Sequence, residues 1–502
     1  MAQEKIRKGF FFYFGMFVLL LITVFFICLV VMMFNPGQTV LWMQYFTGDG
    51  QNVYITSTNA KDKEDISINW ANVTDLEIRC SYADVKIDRN KNSKLTKDGL
   101  YINNSSKGFC GAAGAVPYEY KVYYEGPKLI VEVKESQGFL FFSKDVQITL
   151  HASTERSMNF DNLNLTVKTT EGDVEVGGTT VGETDNVKLA SLNVETTTGD
   201  IAFTDKFDFS SLNSDKALSL KTTDGDILST KKVLYTNSKG ATQEANGMVL
   251  GCDAKFVVDG KGKVNVNVLR VSGNLELTCA RGVLDIDYIS AAKTSVACIE
   301  GNHMFGEVYG DLSYTNSADT ILAPNIIVDY LKGDFILSTD GNAQAEPDID
   351  IKKIDGAVSV ISDKGEIDIK QASGAIDIDG KNMKINLIFA ENFGDVINIV
   401  NEGGKVELGF IGTVPNGAKV KTTGGDVILN FTDTARFKVV PVKNDGSSEA
   451  LSKDNISVNI GSQKFYNQTD ADITIDGGSD VVNVITNAKL WLNLVAKATL
   501  TA

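Results

Sequence analysis

Histidine is nearly missing from this chain: the 502 residues hold two, His151 and His303. A Ser-His-Asp or Cys-His catalytic site would have to recruit one of them. Neither stands in a nucleophile motif, so both read as structural or surface side chains. No Cys-x-x-Cys pair, metalloprotease run, phosphate loop or dinucleotide fingerprint occurs, so no metal set and no cofactor is assigned. A basic excess is also missing. There are 48 Lys+Arg against 64 Asp+Glu, a net charge of −16, which excludes nucleic acid as a partner and fits a self-repelling surface in water. Arginine, with seven copies, offers few bidentate partners for acidic sugars. Proline is as scarce, at seven, while glycine reaches 45. That balance suits strands, which exclude proline from their interiors and turn corners on glycine. Helix signals are nearly absent after the first stretch of the chain.

What is present is a repeat. Thr-Thr-x-Gly-Asp followed by Val or Ile begins at Thr169, Thr196, Thr222 and Thr422. The apolar residues flanking it pair as Val167/Val174, Val194/Ile201, Leu220/Ile227 and Val420/Val427. Looser Gly-x-apolar turns recur at Gly273, Gly282, Gly310, Gly333, Gly356, Gly374 and Gly394. Each interval between paired residues is odd, so the period-2 alternation slips at the turn. A corner or bulge at the glycine absorbs the slip, and the aspartate accepts from turn amides. The expected architecture is all-β: a β-solenoid of about 14 rungs, roughly 65–70 Å long at ~4.8 Å per rung.

Ahead of the repeat, residues 9–34 carry no charge, and Lys5, Arg7 and Lys8 precede them. As a helix they would span roughly 39 Å, enough for the ~30 Å bilayer core. A cleaved signal peptide would have a shorter apolar run with small residues at its end. The positive-inside rule then places the N-terminus in the cytoplasm and the bulk of the chain outside the membrane, with residues 9–34 in the lipid bilayer. The expected division is a cytoplasmic tail (1–8), a transmembrane helix (9–34), a linker (35–60), an N-terminal β region (61–156), the repeat solenoid (157–490, with a protruding loop at about 435–464) and a C-terminal tail (491–502). Trp42, Tyr45 and Phe46 in the linker suit either the membrane interface or a plain packed turn.

The series from Asp145-Val-Gln-Ile-Thr-Leu through Leu163-Thr-Val-Lys-Thr-Thr-Glu-Gly-Asp-Val to Asp426-Val-Ile-Leu resembles the bacterial putative-adhesin family, a domain of Gly-Asp-Val β repeats. The likeness covers about residues 65–490, with 90–117 and the stretch after Ala435 departing from it. It implies a membrane-anchored, adhesin-like role whose ligand is a surface protein or glycan.

Acids are the remaining candidates for chemistry. Asp285/Asp287, Asp348/Asp350, Glu366/Asp368 and Asp377/Asp379 each flank an isoleucine, so each pair shares an outer face. Acids from neighbouring rungs could converge on Ca²⁺ or on a glycosidic bond, or simply keep an exposed face soluble. Of the six cysteines, Cys28 lies in the apolar stretch, and Cys80, Cys110, Cys252, Cys279 and Cys298 lie beyond it. Cys279 and Cys298 both point inward about one rung apart, as packed thiols or a disulfide. The expected function is non-enzymatic: an adhesin-like scaffold or interaction module at the cell surface or in the periplasm. The alternative is a carbohydrate-active enzyme, or a carbohydrate- or cation-binding module, using the clustered acids. A signalling role has little cytoplasmic chain to work with.

Overall fold

The computed structural model describes residues 10–34, 53–58, 66–88, 95, 97–104, 118–135, 146–151, 162–177, 189–204, 218–315, 323–339, 345–459, 466–469 and 472–501. The chain is mostly β, and most of its strands pair parallel. Two long ladders run through it. One buried position traces the first: Val131, Ile78, Val167, Val194, Leu220, Phe256, Leu277, Val296, Tyr314, Leu337, Val360, Ile378, Ile399, Val420 and Val484 are successive partners. The second is traced by Ile148, Val85, Val174, Ile201, Ile227, Val264, Leu284, His303, Ile326, Ile349, Ile367, Ile385, Val406, Val427 and Leu490. All of these side chains are buried. Apolar residues stacked on their own kind remove the inward face of each strand from water rung after rung, which drives assembly. A third ladder opens at Met248 and runs through Leu269, Ile289, Val308, Leu331, Ile354 and Ala372 to Phe389.

The Thr-Thr-x-Gly-Asp motif builds the corner between the first two ladders. Its first threonine turns inward, and Oγ1 of Thr169, Thr196 and Thr222 accepts from the amides of Gly172, Gly199 and Gly225 at 3.1, 3.1 and 3.0 Å. Its aspartate bonds across rungs. The Asp173 amide donates to Asp84 Oδ1 at 3.0 Å, Asp200 to Asp173 at 2.8 Å, Asp226 to Asp200 at 2.7 Å and Lys263 to Asp226 at 2.8 Å. Each carboxylate thus satisfies a corner amide that the ladder leaves unpaired. The glycine is needed for space. A Cβ on Gly199 would lie 2.0 Å from the Gly172 carbonyl oxygen, and one on Gly225 2.0 Å from that of Gly199. None of Gly172, Gly199 and Gly225 has a positive φ, so close approach of backbones, and not left-handed geometry, selects glycine here.

Both ends of the stack are folded out of sequence order. At the C-terminal end, Val481–Ile485 pairs with Ala418–Thr422 on one side and Phe437–Val442 on the other. Leu490–Leu494 likewise lies between Val427–Phe431 and Ile456–Asn459. The segment expected as a loop at about 435–464 therefore supplies two strands of the outermost rung, and residues 491–494 of the expected tail belong to a strand, Leu490–Leu494, inside it. Apolar alternation at Phe437, Val439 and Ile456 drives this, while 443–454 remains an exposed turn tied down by Asn444 Nδ2 donating to the Thr422 carbonyl at 2.9 Å. The N-terminal end mirrors it. Asp75–Arg79 and Asp84–Asp88 sit between the strands of 128–151 and those of 164–176. Antiparallel strands Tyr118–Glu125 and Gly99–Asn104 line that outer rung.

Within this end lies a charge cluster. Glu77 is 2% exposed and meets Arg79 Nε at 2.7 Å, Lys128 Nζ at 3.0 Å and Lys168 Nζ at 3.3 Å. Burial pushes its carboxyl up, but the hydrogen bonds from Arg79, Lys128 and Lys168 outweigh burial and bring it from 4.5 to about 2. A carboxyl depressed in the folded state stabilises fully above its unfolded value, and that stability is lost as pH falls from about 4.5 toward about 2. Acid titration of unfolding should show this loss, on the order of 2 kcal/mol, in the native chain. Glu77→Gln should be weaker at pH 7 and flatter across that window; equal acid sensitivity of both would refute the assignment.

Phe10–Phe34 forms a helix of 25 residues without a charge. Its described side chains, at 13–27 and 30, are nearly all exposed. Among the described residues no helix is long and apolar enough to cross a membrane. Most of the linker, with Trp42, Tyr45 and Phe46, lies outside the described residues.

Candidate functional site

The third ladder carries the most site-like surface. Its outward row reads Val268, Tyr288, Glu307 and Tyr330 in direct register. Tyr309 follows two positions after Glu307. Over this row folds a hairpin, Lys232–Thr236 with Thr242–Leu250. The hairpin exists because 230–246 interrupts the apolar repeat with a polar Asn237-Ser238-Lys239-Gly240 turn; Gly240 has φ +77° and the Ala241 amide donates to Asn237 Oδ1 at 2.9 Å. The turn is latched three rungs' length away from its root. The Ser238 amide donates to Glu307 Oε2 at 2.7 Å and the Ser238 hydroxyl to Oε1 at 2.6 Å.

Between hairpin and ladder lies a groove of about 510 Å³ lined by Tyr235, Asn237, Ser238, Lys239, Gln243, Asp287, Gly306, Glu307, Asp329, Tyr330 and Lys352. Tyrosine rings run beside it, with centroids 5.0 Å apart for Tyr235–Tyr288, 5.3 Å for Tyr288–Tyr309 and 5.9 Å for Tyr309–Tyr330. Lys353 Nζ lies 5.0 Å from the Tyr330 ring centre. Three of the four hydroxyls are held: Tyr235 donates to Gln243 at 2.7 Å, Tyr309 to Glu307 at 3.2 Å and Tyr330 to Asp355 at 2.6 Å. Burial, and then the Glu307 carboxylate, push the Tyr309 phenol up to about 12, so it stays a hydrogen-bond donor at any physiological pH. Burial followed by Asp287 and Glu307 raise Tyr235 in the same way. The acids are engaged as well: Asn267 Nδ2 donates to Asp287 at 2.8 Å and Lys352 Nζ to Asp329 at 2.5 Å. A carboxylate has about four acceptor positions, so each keeps capacity for a ligand.

A larger groove, about 830 Å³, lies on the second ladder beside the C-terminal helix Lys497–Thr501. Its lining has no aromatic residue, and Lys497, at 2.9 Å from Glu391, fills one edge with the chain's own end. The aromatic, acid-rich groove is the stronger candidate.

The residues singled out from sequence fall as follows. Asp287 reaches the groove, and its partner Asp285 lies on the second ladder. Asp348 pairs in register with Glu366, and Asp350 with Asp368. The next rung brings Lys384 onto Glu366 and Asn386 onto Asp368, the latter at 3.0 Å. Burial, Glu366 and Asp350 together raise Asp348. Asp377 accepts from Asn398 at 2.7 Å on the first ladder, one residue pair from exposed Asp379. These acids line exposed ladder faces; among the described residues no group of three His, Cys, Asp or Glu could hold a metal ion.

Both histidines are fully buried. His303 takes an aliphatic slot in the second ladder, with Nδ1 3.0 Å from the Tyr314 hydroxyl, and burial lowers it to about 4. His151 packs edge-on to Tyr101 at 6.4 Å, and burial lowers it too. Cys279 and Cys298 are register partners, and both are buried and free; Cys80 and Cys252 are also buried and free. Burial, then Cys279, push the Cys298 thiol up to about 12, far from a reactive thiolate. Cys110 lies outside the described residues. Tyr288, Glu307, Tyr309 and Tyr330 escaped sequence reasoning. Their one signal was an outward tyrosine or acid recurring at the rung spacing, which counts only once a third strand per rung is known.

No family model, curated protein or solved structure matches this chain.

Proposed function

We propose that this chain is a single-pass, membrane-anchored β-solenoid standing outside the cytoplasm, and that it acts as an adhesin-like interaction module without chemistry of its own. The observation that carries the reading is the groove under the 232–250 hairpin: a cavity of about 510 Å³ with acids, amides, lysines and tyrosines, built on stacked in-register ladders. A rigid ladder presents such a surface with its side chains already held, which lowers the ordering cost of binding. Asp287, Glu307 and Asp329 each bond a neighbour within the protein, which favours recognition over acid-base catalysis.

The anchor rests on the uncharged Phe10–Phe34 helix and on Lys5, Arg7 and Lys8 ahead of it. The full chain should stay in the membrane pellet through alkaline extraction, and a chain lacking 1–34 should leave it; retention of the shortened chain would refute the anchor. The binding reading is tested with Ser238→Pro, which removes the amide that latches the hairpin to Glu307. Attachment of cells expressing the full chain to their surface partner should drop, while the amount of folded protein stays constant. Unchanged attachment would place binding elsewhere.

A further inference from the structure

We infer that the groove beneath the hairpin is a binding site for an oligosaccharide free of acidic groups, of neutral or amino sugars. The inference rests on the groove being the binding face proposed above. Its volume, about 510 Å³, falls in the ~300–1,000 Å³ range of small-ligand sites. Its polar lining alternates acceptors and donors. Asp287, Glu307 and Asp329 accept, while Lys239, Lys352 and Gln243 donate. Sugar hydroxyls do both at once, so a pyranose ring can bridge such pairs where a purely anionic or cationic ligand would leave half of them unmatched.

The charge balance selects within sugars. Three carboxylates face two lysines, and no arginine lines the groove. A uronic acid would meet net negative charge without the bidentate partner it needs, whereas a protonated amine or a hydroxyl would not. The walls supply the apolar contact. Tyr235 and Tyr330 stand at the groove, backed by Tyr288 and Tyr309, with the hydroxyls of Tyr235, Tyr309 and Tyr330 already bonded to Gln243, Glu307 and Asp355. Rings held in this way offer apolar contact at little entropic cost. Gly306, on the groove lining, lets two rungs approach closely there: a Cβ would strike the Asp287 carbonyl at 2.3 Å.

The test uses the full chain in nanodiscs and isothermal titration with pentamers of glucose, N-acetylglucosamine and glucosamine, and with an oligogalacturonate. Saturable binding of at least one of the first three is expected, with the oligogalacturonate at least tenfold weaker. Tyr330→Ala and Glu307→Gln should each weaken binding about tenfold. Lys443→Ala, in the distant 443–454 turn, should leave it unchanged, and circular dichroism checks that all variants fold. Binding of none of the three, equal binding of the oligogalacturonate, or indifference to both groove variants would overturn the proposal. A photo-crosslinker at Gln243 separates the two levels. Crosslinks to protein alone sink the sugar assignment and leave the binding face standing, whereas no crosslink in intact cells sinks both.

Discussion

Gly199→Ala is expected to cost the protein more than 4 kcal/mol, on the scale of the most damaging single substitutions. The added Cβ would lie 2.0 Å from the Gly172 carbonyl oxygen, 2.6 Å from its carbon and 2.9 Å from Thr196 Oγ1. Carbon and oxygen normally stop at roughly 3.3 Å, so the rungs must part by more than ~1 Å. Both atoms in the closest contact are backbone, so no rotamer change relieves it. Parting the rungs stretches the cross-rung bond from the Asp200 amide to Asp173 in the same corner. The misfit also passes along the stack, because Gly225 rests on the Gly199 carbonyl just as Gly199 rests on that of Gly172.

The control is Gly394→Ala. Gly394-Asp395-Val396 reads in sequence as one more copy of the same turn, yet a Cβ on Gly394 meets nothing within 4 Å, and Val396 is 67% exposed. That substitution should shift stability by no more than ~0.5 kcal/mol. Urea unfolding of the two variants side by side, in detergent, decides the point. Equal effects would mean that the corner glycines are chosen for chain flexibility and not for rung contact.

That contrast marks how far the fold was legible in the sequence. Thr169, Thr196 and Thr222 announced their corners because stacking forces the same residue into the same place at each rung, and a one-dimensional stack writes its contacts as a period. The inward positions of Cys279 and Cys298 followed from alternation alone. The third ladder was harder to see. Ile289 belongs to a strand that runs on without a turn signal, so Val283–Cys298 passes through all three sides as one extended segment. The groove was out of reach for the same reason, since Ser238 and Glu307 meet 69 residues apart. The acid pairs were readable as outward-facing, but the partners of Glu366 and Asp368 were not, because Lys384 and Asn386 arrive from the next rung.

The ends of the stack lead to the other large effect. Ending the chain after Asp480 should unravel the C-terminal cap completely. Val481–Ile485 and Leu490–Leu494 form the penultimate rung, so their loss leaves Phe437–Val442 and Ile456–Asn459 without parallel partners. Val482, Val484, Leu490 and Leu492, all buried, go with them. At roughly 1.5–3 kcal/mol for each buried aliphatic side chain, that burial far exceeds what the antiparallel contact of Phe437–Val442 with Ile473–Ile475 can replace. The rung of 418–431 then presents two bare strand edges, a template for association between chains. Limited proteolysis should release 437–480 within minutes, and the shortened protein should sediment as aggregates. Removing only 496–502 should be mild, on the order of 1–2 kcal/mol, because that segment contributes Leu500 against Gly409 and the exposed Lys497–Glu391 pair. In synthesis the same order makes the cap late: 437–459 has no seat until residue 494 has emerged, so ribosome-bound chains halted before that point should stay protease-sensitive across 437–480 while 254–431 is already protected. Protection of 437–459 in such halted chains would show that the cap closes without the rung it rests on.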